Sequence, residues 1–376
     1  MMALAFIFGG IPARRATSRS LALAALFLAL GCAQQARAQS PVKVIEQECV
    51  ALDYAPDGRL AYAVRRVITI RRIQMQRDDI WVLGNDGKQK RIVDGERLVQ
   101  GGVPFSYAIQ SLRWAPDGRN LAVEMNIRFY IDFEKGETRD SYLTLLIDQT
   151  GKELKIGNGD GAIPEAENAA WLPDGATVVY QTEAVKPKLL FSLNKVRPLA
   201  GRGSLLFASN QFVAVAHDAA RSRALAVERD AALANPPQVV LLDYIKETRK
   251  ELLALEGYLG KLTVSPSGKK FAYFRNHDTL EIRAVEQPEQ VATVRVAFGE
   301  YAWTLDETRL LLRRGVERKS SDLLWVKVPQ PGETISETTP ALHGTPFRAF
   351  AFSRDGKWLA VVEPGRQHIQ VYPLQP

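Results

Sequence analysis

The sequence predicts an all-β fold: a seven-bladed β-propeller that is closed by an N-terminal strand, with a six-bladed ring as the alternative. Three observations predict it. A turn motif recurs along the chain, each copy is followed by short apolar segments, and a strand-like segment precedes the first copy. The copies lie roughly 50 residues apart on average, which is enough for the four short strands of one propeller blade.

The turn motif centres on Pro-Asp-Gly. Its fourth and sixth copies match the motif poorly, and if two copies belonged to the same blade the ring would have six blades. Proline presets the backbone for the first turn position, Asp tolerates the second, and Gly accepts a positive φ. The seven copies are LDYAPDG (52–58), LRWAPDG (112–118), AAWLPDG (169–175), AVAHDAARS (214–222), LTVSPSG (262–268), YAWTLDET (301–308) and FAFSRDG (350–356). The recurring aspartates are therefore expected to form turns rather than to act as catalytic carboxylates: Asp57, Asp117, Asp174 and Asp355.

Each turn is followed by segments with the composition of short strands. The second strand of a repeat is read in RLAYAV (59–64) and KWLAVVE (357–363). A third strand is read in DDIWVL (78–83) and YLTLLI (142–147), and a weaker fourth in KRIVD (90–94). Four strands per copy complete one blade.

An aromatic residue recurs three positions before the turn marker, in five of the seven copies. The residues at this position are Tyr54, Trp114, Trp171, Val215, Val264, Trp303 and Phe352. A large ring at a fixed position suits packing between neighbouring blades. The alternative, an aromatic ligand cage, requires the rings to be exposed together.

The two ends of the chain are expected to share one blade. The last copy is followed by KWLAVVE (357–363) and HIQVYPL (368–374), so we expect its blade to lack an outer strand. The segment VKVIEQE (42–48) has the composition of a strand and can supply it. Closure of this kind removes the exposed edges of an open sheet.

The repeat resembles the TolB-like, WD-repeat-related propeller family, whose motif is Ser or Ala, Pro-Asp-Gly, two variable residues, a hydrophobic residue and Ala. The second copy matches it as APDGRNLA (115–122), and the resemblance extends over about residues 42–376. It implies the propeller fold and, for TolB-like proteins, a periplasmic partner-binding role. The N-terminal α/β domain of TolB has no room here between Ala38 and the first copy.

The N-terminus has the features of a secretory signal peptide. Leu21–Leu30 is an apolar run of ten residues, too short to span a bilayer but typical of a signal. Ala36 and Ala38 are the small residues that a signal peptidase reads, so we expect cleavage after Ala38. This gives a signal peptide at 1–38, a single propeller domain at 39–376 and a periplasmic or secreted protein. The alternative is lipoprotein processing and membrane anchoring at Cys32.

Charge and composition exclude several functional classes. The whole chain has a net charge of +7, but residues 1–38 contain four arginines and no acids, so the mature chain has 45 basic and 42 acidic residues and a charge of +3. Such a balance does not indicate nucleic-acid binding. The two cysteines exclude a disulfide framework, and Cys49 is expected to be a buried thiol.

Signatures of catalysis are missing from the sequence. It contains no GxSxG, P-loop or GxGxxG motif, and no paired histidines suited to a metal. The four histidines are widely separated: His217, His277, His343 and His368. We therefore expect no catalytic residues, no cofactor and no metal. A weak candidate for Ca²⁺ is the oxygen-rich segment 157–167, with Asp160, Glu165 and Glu167.

The long connections are predicted on one face of the ring, which is the usual place for recognition. They are Arg65–Arg77, Gly95–Tyr107, Asn126–Asp140 and Gly157–Glu167. Alternating charged and apolar residues in the first and third also favour a solvated β-ribbon. Arginines beside aromatic residues suit a protein interface or an anionic ligand. The candidate partner-binding residues are Arg65, Arg66, Arg71, Arg72, Arg77, Phe129, Tyr130 and Phe133.

These features predict an exported, monomeric, non-enzymatic propeller that serves as a protein–protein interaction or scaffold module. The alternative is a propeller enzyme, a hydrolase or lyase acting on a sugar or lactone with carboxylates around the central channel. An enzyme should bring several ionisable residues with shifted pKa values together at the channel. A scaffold should instead show a dry or merely solvated channel and an apolar patch on the long-loop face.

Export should remove residues 1–38, because a short apolar run is followed by small residues at the cleavage positions. Intact-mass measurement of the exported protein should give an N-terminus at Gln39. A diacylglycerol-modified Cys32 at the N-terminus would contradict this and establish the lipoprotein alternative.

Overall fold

The structure, a computed structural model, describes most of the chain after residue 40. The described residues are 41–70, 72–96, 105–132, 135–156, 161–184, 190–197, 203–209, 212–229, 235–314, 323–336, 338–342, 349–363 and 367–374. The signal-peptide segment, with Cys32 and Ala38, lies outside them. Residues 41–376 group into one compact unit.

The described residues are almost entirely β-strand, and their only helix is a 3-10 turn at Ala219–Arg221. None of their helices is long and apolar enough to cross a membrane. The first strands are β1 (Lys43–Ile45), β2 (Cys49–Tyr54), β3 (Leu60–Val64), β4 (Val67–Ile70), β5 (Ile73–Gln76), β6 (Asp79–Leu83), β7 (Gln89–Val93), β8 (Phe105–Trp114), β9 (Asn120–Asp132), β10 (Glu137–Asp148) and β11 (Ala162–Pro164). They are followed by β12 (Ala166–Trp171), β13 (Val178–Ala184), β14 (Leu190–Val196), β15 (Ser204–Ser209), β16 (Phe212–Asp218), β17 (Arg223–Glu228), β18 (Gln238–Asp243), β19 (Thr248–Ala254), β20 (Gly260–Val264) and β21 (Lys270–Asn276). The last are β22 (Thr279–Ala284), β23 (Val291–Arg295), β24 (Gly299–Trp303), β25 (Arg309–Arg314), β26 (Leu323–Lys327), β27 (Thr334–Ile335), β28 (Thr339–Leu342), β29 (Ala349–Phe352), β30 (Trp358–Val362) and β31 (Ile369–Pro373).

These strands form seven sheets of four or five strands and one two-stranded ribbon, in the part of the chain that the structure describes. The sheets, numbered from the N-terminus, are β2-β3-β6-β7, β8-β9-β10-β11, β12-β13-β14-β15, β16-β17-β18-β19, β20-β21-β22-β23-β27, β24-β25-β26-β28 and β29-β30-β31-β1. Neighbouring strands of a sheet pair antiparallel, except that β27 pairs parallel with β23 in sheet 5. The ribbon is the antiparallel pair β4-β5. The third and fourth strands predicted from sequence are present, for example as β6 and β7.

The Pro-Asp-Gly motifs form the turns between the first and second strands of their sheets. In the first copy, Asp57 Oδ1 accepts a hydrogen bond from the N–H of Arg59 at 3.2 Å, and Gly58 has a φ of 91°. The equivalent position in the degenerate copies is Ser222 or Glu307, with φ of 50° and 55°. The turn therefore keeps its positive φ where glycine is absent, although a residue with a side chain adopts a positive φ less favourably than glycine does.

Seven hydrophobic clusters lie between the sheets. Six of them join sheets that follow each other along the chain, and one joins sheet 7 to sheet 1. Trp114, Trp171 and Trp303, from the recurring aromatic position, are each buried in such a cluster. For these three rings the predicted packing between sheets is confirmed.

Polar contacts near the turns also connect neighbouring sheets. Arg59 donates to the carbonyl oxygen of Gly118 at 2.6 Å, which links sheet 1 to sheet 2. Arg223 makes the equivalent contact with Gly268 at 2.7 Å, between sheets 4 and 5. Side chains that directly follow one turn thus bind the glycine carbonyl of the next, so the turns stay in register around the molecule.

The N-terminal strand β1 is the outermost strand of sheet 7. It pairs antiparallel with β31, with Lys43 opposite Val371 and Ile45 opposite Ile369. Ile45 is buried in the cluster between sheets 7 and 1, where Cys49 is also fully buried. The expected burial of the Cys49 thiol is therefore confirmed.

Shortening Ile45 to Ala should lower the free energy of unfolding by about 2–4 kcal/mol, because its side chain is 1% exposed and fills the contact between β1 and two sheets. Val44→Ala on the same strand is the matched control. Val44 is 44% exposed, so its loss should cost less than about 0.5 kcal/mol. Equal urea midpoints for the two variants would show that β1 does not stabilise the fold.

Candidate functional site

Two long connections that the sequence places in loops are β-structure. Both link the second and third strands of their sheets. Arg65–Arg77 contains the ribbon β4-β5, and Asn126–Asp140 is the continuation of β9 and β10. The loop assignment is therefore wrong here and the ribbon interpretation is correct. Of the segment Gly157–Glu167, the part from residue 162 contributes β11 and the start of β12.

A groove of about 720 Å³ is lined by residues of the ribbon and of the extended strands of sheet 2. Its floor consists of side chains that are neighbours across strands. One row contains Ser106, Arg128 and Asp140, which lie opposite each other on β8, β9 and β10. The parallel row contains Ala108, Asn126 and Tyr142. Ser106 and Ala108 of β8 have small side chains, so the groove is deeper on the side that faces the ribbon.

Side-chain alternation explains why this face is open. In β9, Met125 and Ile127 point to the opposite face and pack against sheet 1. Sheet 3 covers the groove-side face only up to Glu124, whose Oε1 accepts a hydrogen bond from the N–H of Ala169 at 2.6 Å. Beyond that point Asn126 and the residues after it on this face have no sheet above them among the described strands.

The base of the ribbon is fixed to sheet 2 by buried polar groups. Arg77 donates to the carbonyl oxygen of Phe105 at 2.7 Å and lies over its ring at 4.1 Å. Asp78 accepts hydrogen bonds from the side chain of Gln76 and, at 2.8 Å, from the N–H of Ile109. Burial raises the pKa of Asp78, and these hydrogen bonds oppose the rise. The groove wall formed by the ribbon is therefore held in place.

Most of the predicted partner-binding arginines are used within the protein. Arg77 is 5% exposed, so it is not part of the surface to which the sequence assigns it. Arg65 pairs with Glu48 at 2.7 Å. Arg66 is half-buried and pairs with Asp94 and Glu96 at the base of the ribbon. An arginine-rich surface for an acidic partner is not formed by these three residues.

The remaining described candidates, Arg72, Phe129 and Tyr130, have three different environments. Arg72 is exposed at the tip of the ribbon, with a φ of 69°. Phe129 packs into the cluster between sheets 1 and 2 and faces away from the groove. Tyr130 is the one predicted partner-binding residue that lines the groove. Arg71 and Phe133 lie outside the described residues.

The sequence interpretation misses most of the groove. Besides Tyr130 and Glu165, the polar lining residues are Gln74, Gln76, Ser106, Asn126, Arg128, Arg139, Asp140, Ser141 and Tyr142. A usable signal is present in the segment Asn126–Tyr130, where polar and apolar residues alternate with a period of two. Read as a strand, that pattern predicts one solvent-facing row, although not its partner on β10.

The groove is polar and has no charge excess. Arg128 binds both carboxylate oxygens of Asp140, at 2.7 and 2.9 Å, and this contact holds the pKa of Asp140 below its usual range. The other charged lining residues are Arg139 and Glu165, one of each sign. The groove therefore offers a ligand hydrogen-bonding groups, without a strong electrostatic field of either sign.

The weak Ca²⁺ candidate gains no support from the described residues. Asp160 lies outside them, whereas Glu165 and Glu167 are exposed. No group of three or more His, Cys, Asp or Glu within the described ranges is arranged to hold a metal ion.

Two titratable groups with shifted pKa values, Asp53 and His217, lie on the first strands of sheets 1 and 4, β2 and β16. Burial raises the pKa of Asp53, against the charges of Arg354 and Arg113 and a hydrogen bond from Trp114 N–H at 2.8 Å. Burial, helped by the charge of Arg113, lowers the pKa of His217 from 6.5 to about 4. In both groups, burial shifts the pKa in the direction that favours the uncharged form.

Comparison with known proteins identifies the fold. No family model matches the chain, and no curated protein matches it. The β-propeller domain of Cps50 (Swd1) from Myceliophteria thermophila is similar with a TM-score of 0.55 and 11% identity, over 89% of this chain and all of that domain. The C-terminal WD40 domain of Sif2 gives a TM-score of 0.52 and 10% identity, over 90% and 99% of the two chains. TolB from Acinetobacter baumannii is similar with a TM-score of 0.41 and 11% identity, over 73% and 81%.

The chain therefore has the β-propeller fold that the turn motif predicts, similar to that of these two propeller domains. At these identities the likeness concerns the fold alone and says nothing about ligands.

His217 should make the fold sensitive to acid. Its Nε2 contacts the carbonyl oxygen of Asn168 at 2.8 Å, and its Nδ1 contacts the hydroxyl of Tyr244, an arrangement that suits the neutral ring. Because its pKa is about 4 in the folded protein and 6.5 otherwise, protons bind the unfolded chain preferentially between these values. Stability should fall by on the order of 2–3 kcal/mol as pH drops through this window.

The measurement is the free energy of urea unfolding at pH 7 and pH 4.5. In His217→Gln, the free energies of unfolding at pH 7 and pH 4.5 should differ much less than they do in the wild type. His277→Gln is the control, since His277 is exposed in a turn and should retain the wild-type dependence. The same pH dependence in both variants would refute this role of His217.

Proposed function

We propose that this protein is an exported, non-enzymatic β-propeller that binds a protein partner through the groove between the ribbon and sheet 2. It acts as a monomeric interaction or scaffold module and does not bind nucleic acid. Its seven sheets are seven blades of one closed ring, residues 39–376 being the domain. The observation that carries the binding role is the groove itself, an open polar depression on the face of the long connections.

The closed ring is supported by the order of the hydrophobic clusters. Sheet 1 packs against sheet 2 through Ala61 and Ala63 of β3, and against sheet 7 through Leu60 and Tyr62 of the same strand. Strand β2 contacts both β8 and β29. The pairing of β1 with β31 supports closure by the N-terminal strand rather than by the C-terminus alone.

Export is supported by the sequence of residues 1–38. The proposal is cleavage after Ala38 and a periplasmic or secreted location, with lipidation at Cys32 as the alternative.

The second candidate, an enzyme, has one observation in its favour. Asp53, with a raised pKa, and His217, with a lowered one, both lie within the influence of Arg113 on first strands. However, Asp53 already accepts the N–H of Trp114, and His217 is bound on both ring nitrogens. Neither is positioned as one half of an acid–base pair, so the interaction role is the better supported.

Filling the groove should abolish partner binding without unfolding the protein. Ala108 lies on the groove floor, so Ala108→Arg should reduce capture of the partner from an envelope extract at least tenfold, as judged by quantitative mass spectrometry. Gln110→Arg is the matched control: the same charge is added on the same strand, at an exposed residue that does not line the groove.

Both variants should melt within a few degrees of the unchanged protein. Gln110 is exposed, where substitutions usually alter stability by about 0.5 kcal/mol or less, and an arginine at the half-buried Ala108 can extend into the open groove. Equal capture of the partner by the two variants would show that the interaction surface lies outside the groove.

A further inference from the structure

Strand β10 has an open outer edge beside the groove. It is 12 residues long, whereas β11, which pairs with its outer side, has three residues and lies opposite Leu143–Leu145. No described strand pairs with the outer side of the segment from Glu137 to Ser141. Thr138, Arg139 and Asp140 are exposed.

The hydrogen bonds that are present identify which backbone groups point outwards. The N–H of Glu165 donates to the carbonyl oxygen of Tyr142 at 2.9 Å, so the backbone of Tyr142 faces the outer side. Alternate residues of a strand point the same way. The N–H and C=O groups of Thr138 and Asp140 therefore also face outwards, where nothing described binds them.

Two other strand edges in the described part of the molecule are covered by a strand from elsewhere in the chain. The edge of β23 is covered by β27, which pairs parallel to it, with Thr293 opposite Thr334. The edge of β31 is covered by β1. The open segment of β10 contains no proline, so every residue in it keeps its backbone N–H. Of its charged residues, Glu137, Arg139 and Asp140, the last is paired with Arg128 of β9. The segment is therefore competent to accept a further strand.

The same segment forms the outer part of the groove. Arg139, Asp140, Ser141 and Tyr142 all line it. A strand added beside β10 would carry every second side chain towards the groove face, because side chains alternate between the two faces of a sheet. Since the groove has equal numbers of acidic and basic lining residues, those side chains should be polar and uncharged.

We infer that the partner contributes an extended peptide segment that adds as a strand to the outer edge of β10 and pairs with the backbone of Thr138 and Asp140. This rests on the proposed function and specifies how the groove recognises its partner. Backbone pairing supplies affinity in this mode of recognition, and pockets for alternate side chains supply selectivity.

The test is Thr138→Pro, which removes an outward N–H without removing a bond to β9. The matched control is Thr69→Pro. Arg77 N–H donates to the carbonyl oxygen of Arg66, so by alternation the N–H of Thr69 also points away from its partner strand. Thr69 is exposed on the neighbouring ribbon and does not line the groove.

The probe is a displayed library of 12-residue peptides selected on the mature protein. Selected peptides should bind Thr138→Pro at least tenfold more weakly and bind Thr69→Pro as they bind the wild type. N-methylation of single peptide amides should reduce binding at every second position, which tests strand pairing even if a variant is unstable. Failure to select any peptide, equal binding to both proline variants, or no period of two would overturn the inference.

The two proposals can fail separately. Loss of captured partner in Ala108→Arg with full capture by Thr138→Pro would leave the groove as the binding site and exclude strand addition. Full capture by both variants would exclude the groove itself.

Discussion

Each of the seven described sheets packs apolar side chains against two neighbouring sheets, and this constraint determines the rest of the structure. Alternate residues of one strand serve different neighbours: in β3, Leu60 and Tyr62 face sheet 7, whereas Ala61 and Ala63 face sheet 2. A sheet of this kind is stable only between two others. A row of such sheets would leave two apolar faces in water, whereas the ring that we propose leaves none.

The same packing determines where a partner can bind. A propeller buries its strands against neighbouring blades, so functional surface is left only where one sheet extends beyond the next. Strands β9 and β10 do so, and their outward row of Asn126 and Arg128 remains uncovered because sheet 3 reaches only as far as Glu124. The buried contacts of Arg77 and Asp78 hold the ribbon beside this row. The groove thus exists because β9 and β10 extend beyond sheet 3 and because the ribbon is held beside them.

The fold was more predictable from sequence than the site was. Turns depend on local chemistry, so Pro-Asp-Gly indicates where strands such as β2 and β3 end and begin. The groove depends instead on non-local register, such as Arg128 opposite Asp140, which one sequence does not specify. Arg77 illustrates the limit: it looks like a surface arginine, yet its donors are used by a carbonyl 28 residues away.

Pairing of the partner with the open edge of β10 is tested most directly by residue-resolved hydrogen exchange of the protein, alone and with its captured partner. We expect slowed exchange at the outward amides of Thr138 and Asp140 on binding, with Thr69 on the ribbon unchanged. Unaltered exchange at Thr138 and Asp140, with protection at another part of the ring, would contradict it.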